Sequence, residues 1–155
     1  TQPGSVNDAC LAAYQPADQW HCFMAQYTLP FVRTPLFITQ DLDDSWQMQN
    51  IYQLPCQPWV HGSCSAAQQA QLDSYRSDML AALAPLLQSQ TNGAFLSTCV
   101  QHCHQNIGAC WDDSLVANQS VQASFVSWYS GANTLQRIVV DGEYGSNPTC
   151  FCSPY

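Results

Sequence analysis

The stretch "TPLFITQDLDDSWQ", residues 34–47, carries an apolar run of strand length straight into three aspartates, a serine and a tryptophan. A run that stays apolar at successive positions marks a strand covered on both faces, as in a parallel sheet. The loops that follow the carboxyl ends of such strands are where open α/β sheets hold their catalytic side chains. The same Asp-Asp-Ser is also an ordinary helix N-cap, with Asp44 or Ser45 accepting from a helix that begins near Trp46. Both readings place a turn after the strand; they differ in its chemistry.

Outward from this stretch the periodicity alternates. From Ala66 to Gln88, Leu72, Tyr75, Met79, Leu83 and Leu86 recur every three or four residues, which predicts an amphipathic helix capped near Ser65. "GAFLST" (93–98) predicts a second short strand. "SVQASFVSWY" (120–129) sets Val121, Phe125 and Trp128 on one helical face, and Gly131 ends that helix. "RIVV" (137–140) is a weaker strand signal. Upstream, "QWHCFMAQYTLPFV" (19–32) predicts a short buried helix stopping near Pro30, and "LPCQPWVHGSCS" (54–65) a loop closed by Cys56 and Cys64. Strand, helix, strand, helix at this spacing predicts an α/β fold with a parallel sheet and flanking helices.

The 155 residues suffice for one domain with a real core and are too few for two. Charged residues make up only 9%, yet the net charge is −8, lysine is absent and the cations are Arg33, Arg76 and Arg137. Such a surface repels phosphate backbones and anionic lipid heads, so nucleic-acid partners are not expected. No apolar run approaches the ~20 residues of a membrane span. Nine cysteines (Cys10, Cys22, Cys56, Cys64, Cys99, Cys103, Cys110, Cys150 and Cys152) predict a disulfide framework formed in an oxidising compartment, hence a secreted or extracellular protein. Nine is odd, so one thiol is free or joined to another chain. The start at Thr1, without a signal segment, reads as a processed product. Asn118-Gln-Ser120 is an N-glycan acceptor pattern; Asn147-Pro-Thr is blocked by its proline.

"CVQHCH" (99–104) sets His102 and His104 among two cysteines. The spacing departs from the paired-ligand patterns of structural zinc, and disulfides claim cysteines first in a secreted chain, so no metal is expected. A histidine locked on a cysteine-pinned loop after a strand suits a general base, whereas a lone histidine is ordinarily a surface or satisfied core residue. An acid after one strand and a histidine after a later one match the last two members of the Ser, Asp/Glu, His order of α/β-hydrolases. No G-x-S-x-G occurs. "HGSCSA" (61–66) lacks its second glycine and sits in a proline-rich loop, so neither Ser63 nor Cys64 reads as a nucleophile.

Several blocks carry a family resemblance. "CFMAQYTLPFVRTPLFITQDLDDSWQMQNI" (22–51) resembles the pectinacetylesterase/Notum family, in which a C-F-x-x-Q-Y helix leads into a T-P-L-F-I strand and D-S-W-Q. "GAFLSTCVQHCHQ" (93–105) is similar to its G-x-F-x-x-S-C-x-x-H-C-Q segment, "SVQASFVSWYSG" (120–131) to its A-x-x-x-W-Y helix, and "SNPTC" (146–150) to its C-N-P-T-C ending. The blocks run in order over nearly the whole chain. The resemblance implies the C-terminal half of an α/β-hydrolase domain, with Asp44 as triad acid and His102 as triad base. It implies that Trp46 packs beneath Asp44, that Asp41 and Asp43 form a solvated or capping edge, and that His104, which stands where the family has glutamine, is not catalytic.

The family's serine, in a G-x-S-A-G-G elbow, lies upstream of the matched region, as do its glycine-rich oxyanion donors. The resemblance therefore implies a secreted carboxylic ester hydrolase acting on an acetylated glycan or an acylated protein, of the cell wall or matrix. It needs no cofactor, and an N-terminal-half polypeptide, with a disulfide link as one option, supplies the serine. The alternative is a catalytically inactive extracellular structural or binding protein that kept the fold. The tail departs from the family: Gly142 and Ser146 stand where two cysteines are usual, so at least one family disulfide is lost. Cys110 and Cys152 look like additions and are expected to pair with each other.

Overall fold

The structure is a computed structural model and describes residues 6–54, 56, 63–103, 108–132, 134–142 and 147–150. Its frame is a three-stranded parallel sheet of β1 (Phe37–Asp41), β2 (Gly93–Ser97) and β5 (Ile138–Val140), in the order β1-β2-β5. Phe37 pairs with Gly93 and Asp41 with Ser97, so β1 and β2 run in full register. Parallel neighbours need long crossovers. The first contains α3 (Ser45–Asn50) and α4 (Ala66–Leu87). The second contains α5 (Gly108–Asp113), a small hairpin of β3 (Leu115–Val116) and β4 (Gln119–Ser120), and α6 (Val121–Ser130). Ahead of the sheet lie α1 (Asp8–Ala13), a 3-10 helix (Pro16–Phe23), α2 (Ala25–Thr28) and a second 3-10 turn (Leu29–Phe31).

The side-chain alternation of β2 divides the core into two layers. Ala94 and Leu96 pack with Leu83 and Leu86 of α4 and with Leu42, while Phe95 faces Val116, Val121 and Val139. All five residues of β2 are buried, as a central parallel strand requires. Burying one side chain of the size of Phe95 contributes about 1.5–3 kcal/mol. Helix α4 starts where the sequence predicts: Ser65 Oγ accepts from the Gln68 amide and Gln68 Oε1 from the Ser65 amide, a reciprocal capping box. Helix α6 ends on Gly131 in the left-handed conformation, φ +68°. Gly93 opens β2 because a Cβ there would lie 2.5 Å from the Phe37 ring.

Two expectations need correction. The strand signal at 34–39 is β1, but its residues 37–40 are only half-buried, and among the described residues it pairs on one side alone. Residues 19–32 are not a buried helix. They break into short 3-10 and α turns: Pro16 opens the first, Pro30 withholds the donor that would continue α2, and Trp20, Phe23 and Met24 stay exposed.

The disulfides Cys10–Cys22, Cys56–Cys64 and Cys99–Cys150 staple the described residues. Cys110 is also disulfide-bonded; its expected partner, Cys152, lies outside the described residues. Cys103, counted among the disulfide candidates, is instead free and exposed. The tail offers it no thiol at 142 or 146, where glycine and serine stand. Among the described residues no helix is long and apolar enough to cross a membrane.

Candidate active site

The acid corner is built by the end of β1. Leu42 is fully buried and its amide donates to the Ser97 carbonyl at 2.8 Å, extending the ladder one residue past the strand. That anchor brings Asp44 to the N-cap of α3, where its Oδ1 accepts from the Gln47 amide at 2.8 Å. The other oxygen, Oδ2, lies 2.8 Å from Nδ1 of His102. An ionised carboxylate has no proton to give, so Nδ1 carries the hydrogen and donates. The neutral ring then keeps its lone pair on Nε2, the atom a general base uses. Capping and histidine-holding are thus done by the two oxygens of one side chain. Asp44 is 5% exposed.

The histidine arrives on a loop fastened at several points. After β2, the Thr98 amide and hydroxyl donate to Asp141 Oδ2 at 3.1 and 2.8 Å. Cys99 is then bonded to Cys150. The Gln101 carbonyl accepts from the Ser45 amide at 3.0 Å, tying this loop to the acid corner directly. His102 follows with 46% of its side chain exposed, and Cys103, at φ +58°, turns the chain away. The Trp46 ring stacks beside the imidazole, with centroids 5.9 Å apart and 29° between planes, and is itself 49% exposed. It flanks the histidine rather than packing beneath Asp44, because α3 turns that side chain outward.

The neighbouring aspartates are not a solvated edge. Asp41 is 2% exposed and accepts from the Ser97 hydroxyl; Asp43 is 1% exposed, and among the described residues neither of its oxygens has a hydrogen-bond partner. Burial pushes the Asp43 pKa up to about 7, against the pull of the Arg76 guanidinium and with help from Asp41, Asp73 and Asp141. Next to it Tyr75 is 2% exposed, and burial, then the Asp44 and Asp43 carboxylates, hold its phenol above the usual range.

Asp141, just past β5, is a residue the sequence reading missed. It takes hydrogen bonds from Thr98, Gly142 and the Asn147 side chain. Partial burial pushes its pKa up, but these donors win and hold it below the usual carboxylate value. Its sequence signal was the one that marked the first corner, an aspartate directly after an apolar strand.

No group of three or more histidine, cysteine, aspartate or glutamate side chains among the described residues could hold a metal. The disulfide at Cys99 also removes one ligand from the His102 cluster. His104 lies outside the described residues, as do His61 and Gly62 of the rejected elbow. Asn118, the glycan acceptor candidate, is exposed in the β3–β4 turn at φ +61°.

Comparison with known proteins bears on what this site does. The sequence model of the family Pectinacetylesterase matches residues 2–151. Pectin acetylesterase 11 of Arabidopsis thaliana is 33% identical over 158 residues, covering 94% of this chain and 39% of that protein. Pectin acetylesterase 7 of the same plant is 32% identical over 141 residues, covering 83% of this chain and 36% of that protein. The chain therefore spans well under half the length of these relatives. Among solved structures, the Wnt deacylase Notum from Drosophila superposes with a TM-score of 0.72 at 18% identity, covering 92% of this chain and 37% of that one. That likeness establishes the fold, an α/β arrangement of hydrolase type.

Proposed function

The chain belongs to the pectinacetylesterase family, and from that premise we propose that it carries the acid and base of a serine carboxylic ester hydrolase acting on acetyl esters of an extracellular glycan. The observation that carries this reading is the 2.8 Å contact between Asp44 Oδ2 and His102 Nδ1 under a ring left half-exposed. A purely structural ion pair has no need of an accessible ring.

In this mechanism Asp44 fixes the tautomer of His102 and stabilises the imidazolium formed when Nε2 takes the proton of a serine hydroxyl. The serine attacks the ester carbonyl, and the imidazolium protonates the departing alcohol, leaving an acyl-enzyme. Water, deprotonated by the same Nε2, then releases the carboxylic acid and restores the serine. The serine and its oxyanion donors come from polypeptide outside residues 1–155. A covalent link between the chains, where one exists, runs through the exposed thiol of Cys103, and intact mass with and without reductant reads it. No cofactor enters. The disulfides among the described residues support a secreted protein of the wall or matrix, and Asn118 is its glycosylation site.

The test uses the native protein with every polypeptide that accompanies it. A fluorophosphonate probe should label one serine outside residues 1–155, found by mass spectrometry, and His102→Ala should abolish that labelling and lower ester turnover by about 10³-fold or more. Absence of labelling in the native protein, or full turnover by His102→Ala, would favour an inactive binding protein that kept the fold.

A further inference from the structure

One large side chain at the acid corner takes no part in the proton transfer: Trp46. Asp44 caps α3, its Oδ1 accepting from the Gln47 amide at 2.8 Å, so Trp46 is the second residue of the helix and stands in its first turn. Met48, two positions on and so on the opposite side of the helix, is 1% exposed and packs with Leu54 and Leu72. The Ser45 amide donates to the Gln101 carbonyl at 3.0 Å. That bond joins the residues directly ahead of Trp46 and of His102, so the two side chains leave a clamped pair of segments side by side. Their rings lie close to parallel, with centroids 5.9 Å apart and 29° between planes.

What this contact does depends on the charge of the imidazole. With the ring neutral it is an ordinary aromatic stack. When Nε2 takes the proton of a serine hydroxyl the ring becomes a cation, and indole is the best of the aromatic faces for a cation within about 6 Å of its centroid. Asp44 meets that cation at its Nδ1 edge and Trp46 meets it on its face, so the two contacts do not compete. Anchoring α3 is the work of buried Met48, whereas Trp46 is left 49% exposed, more than a side chain kept for packing needs. Both stacked rings stay about half open, so the stack does not close the histidine off from a serine.

We infer that Trp46 is a positioning residue for the base: its indole face binds the imidazolium more tightly than the neutral imidazole, and so speeds both the formation of the acyl-enzyme and its hydrolysis. The inference rests on the ester hydrolase reading for the existence of the imidazolium, and on the stack alone for the part Trp46 plays. An interaction that strengthens only as the ring gains charge is absent from substrate binding and acts on kcat. At a half-exposed site its size corresponds to a factor of about 3 to 10 in rate.

Hydrolysis of triacetin, an uncharged acetyl ester with an alkyl leaving alcohol, by the native protein and every polypeptide that accompanies it tests this. Trp46→Leu should lower kcat and kcat/KM together by about 3- to 10-fold, with KM within about twofold of the parent. Trp46→Phe, which keeps an aromatic face, should fall between Trp46→Leu and the parent. Replacing Trp46 alone by tryptophans of increasing fluorine content weakens the ring's attraction for a cation at nearly constant shape, and kcat should fall stepwise along that series. Unchanged kcat in Trp46→Leu, a change confined to KM, or no trend with fluorination overturns the inference. Should Trp46→Leu fail to fold in thermal melts, the fluorinated series decides alone. Any of these contrary results in a protein whose serine is labelled by the fluorophosphonate probe overturns the role of Trp46 and spares the hydrolase. A parent that neither labels nor turns over ester overturns both.

Discussion

The carboxyl ends of β1 and β5 both place an aspartate in the protein, and they treat it in opposite ways. Past β5, Asp141 stays partly open and collects donors from Thr98, Gly142 and Asn147. Past β1, Asp43 is sealed off with no donor among the described residues. Arg76 lies between them, hydrogen-bonded to the carbonyls at the end of β5 while only its charge reaches Asp43. Burial by itself raises a carboxyl pKa, and donors lower it; the two ends show each effect winning. Asp44 combines the two designs, buried like Asp43 yet paired through both oxygens. It is the position where a charge must persist inside the protein, because the proposed chemistry needs it beside an imidazolium.

The largest effect is expected at that third carboxylate. Asp44→Asn keeps an oxygen for the Gln47 amide, so the cap survives and stability should change by less than about 1 kcal/mol. Its amide, however, presents N–H to the ring, which favours the tautomer with the lone pair on the wrong nitrogen. Ester turnover should fall roughly 10³- to 10⁴-fold. Steady-state kinetics beside thermal melts would separate the two effects, and a large loss of stability with little loss of rate would make Asp44 a cap and nothing more.

Next in size is Asp141→Ala. It strands the Thr98 amide and hydroxyl and leaves the Asn147 amide with the Leu115 carbonyl as its remaining acceptor, and buried donors left without acceptors cost about 1–3 kcal/mol each before relaxation. A net loss of about 2–4 kcal/mol in urea unfolding is expected. The pH sign follows from its depressed pKa: the contribution is present above the ordinary carboxylate pKa and is lost as pH falls through the folded value. A variant as stable as the parent at pH 7 would mean that the acceptor at the end of β5 does not hold the histidine loop.

How much of this could be read in advance divides along physical lines. Helix α4 and strand β2 were legible because a 3.6-residue stripe and a continuous apolar run are local signals, and Ser65 and Gln68 form a local cap. The Cys56–Cys64 bridge was legible for the same reason, closing a short proline-rich loop. The pair Asp44 and His102 was reached through the order of the residues and the family resemblance, and the structure brings them together. The pairing of Cys99 with Cys150 was not fixed by spacing, since many connectivities are compatible with nine cysteines. The burial of Asp41 and Asp43 was missed because charge in a sequence reads as surface; only the chain passing over α4 and β2 removes that corner from water. The hairpin at Leu115–Ser120 turns on Ala117 and Asn118 at φ +49° and +61°, and alanine gives no hint of that conformation.

The smallest expected effect sharpens the contrast from the side of Asp43. Its carboxyl titrates near 7 in the folded chain and at about 3.8 when unfolded. Between those values the native state binds the extra proton, so stability falls as pH rises through that interval. The contribution is whole below pH 3.8 and gone above about 7, the reverse of Asp141. Asn cannot ionise and nearly matches the protonated acid in shape. Asp43→Asn should therefore leave stability near that of the parent at pH 4 and exceed it at pH 8, by about 1–2 kcal/mol once the attraction of Arg76 is set against the relief of burial. Urea midpoints of both proteins across that range provide the measurement. Parallel curves would show that Asp43 has a donor and that the two strand ends treat their carboxylates alike. Diverging curves would show a carboxylate kept at a cost in stability next to the one proposed for catalysis.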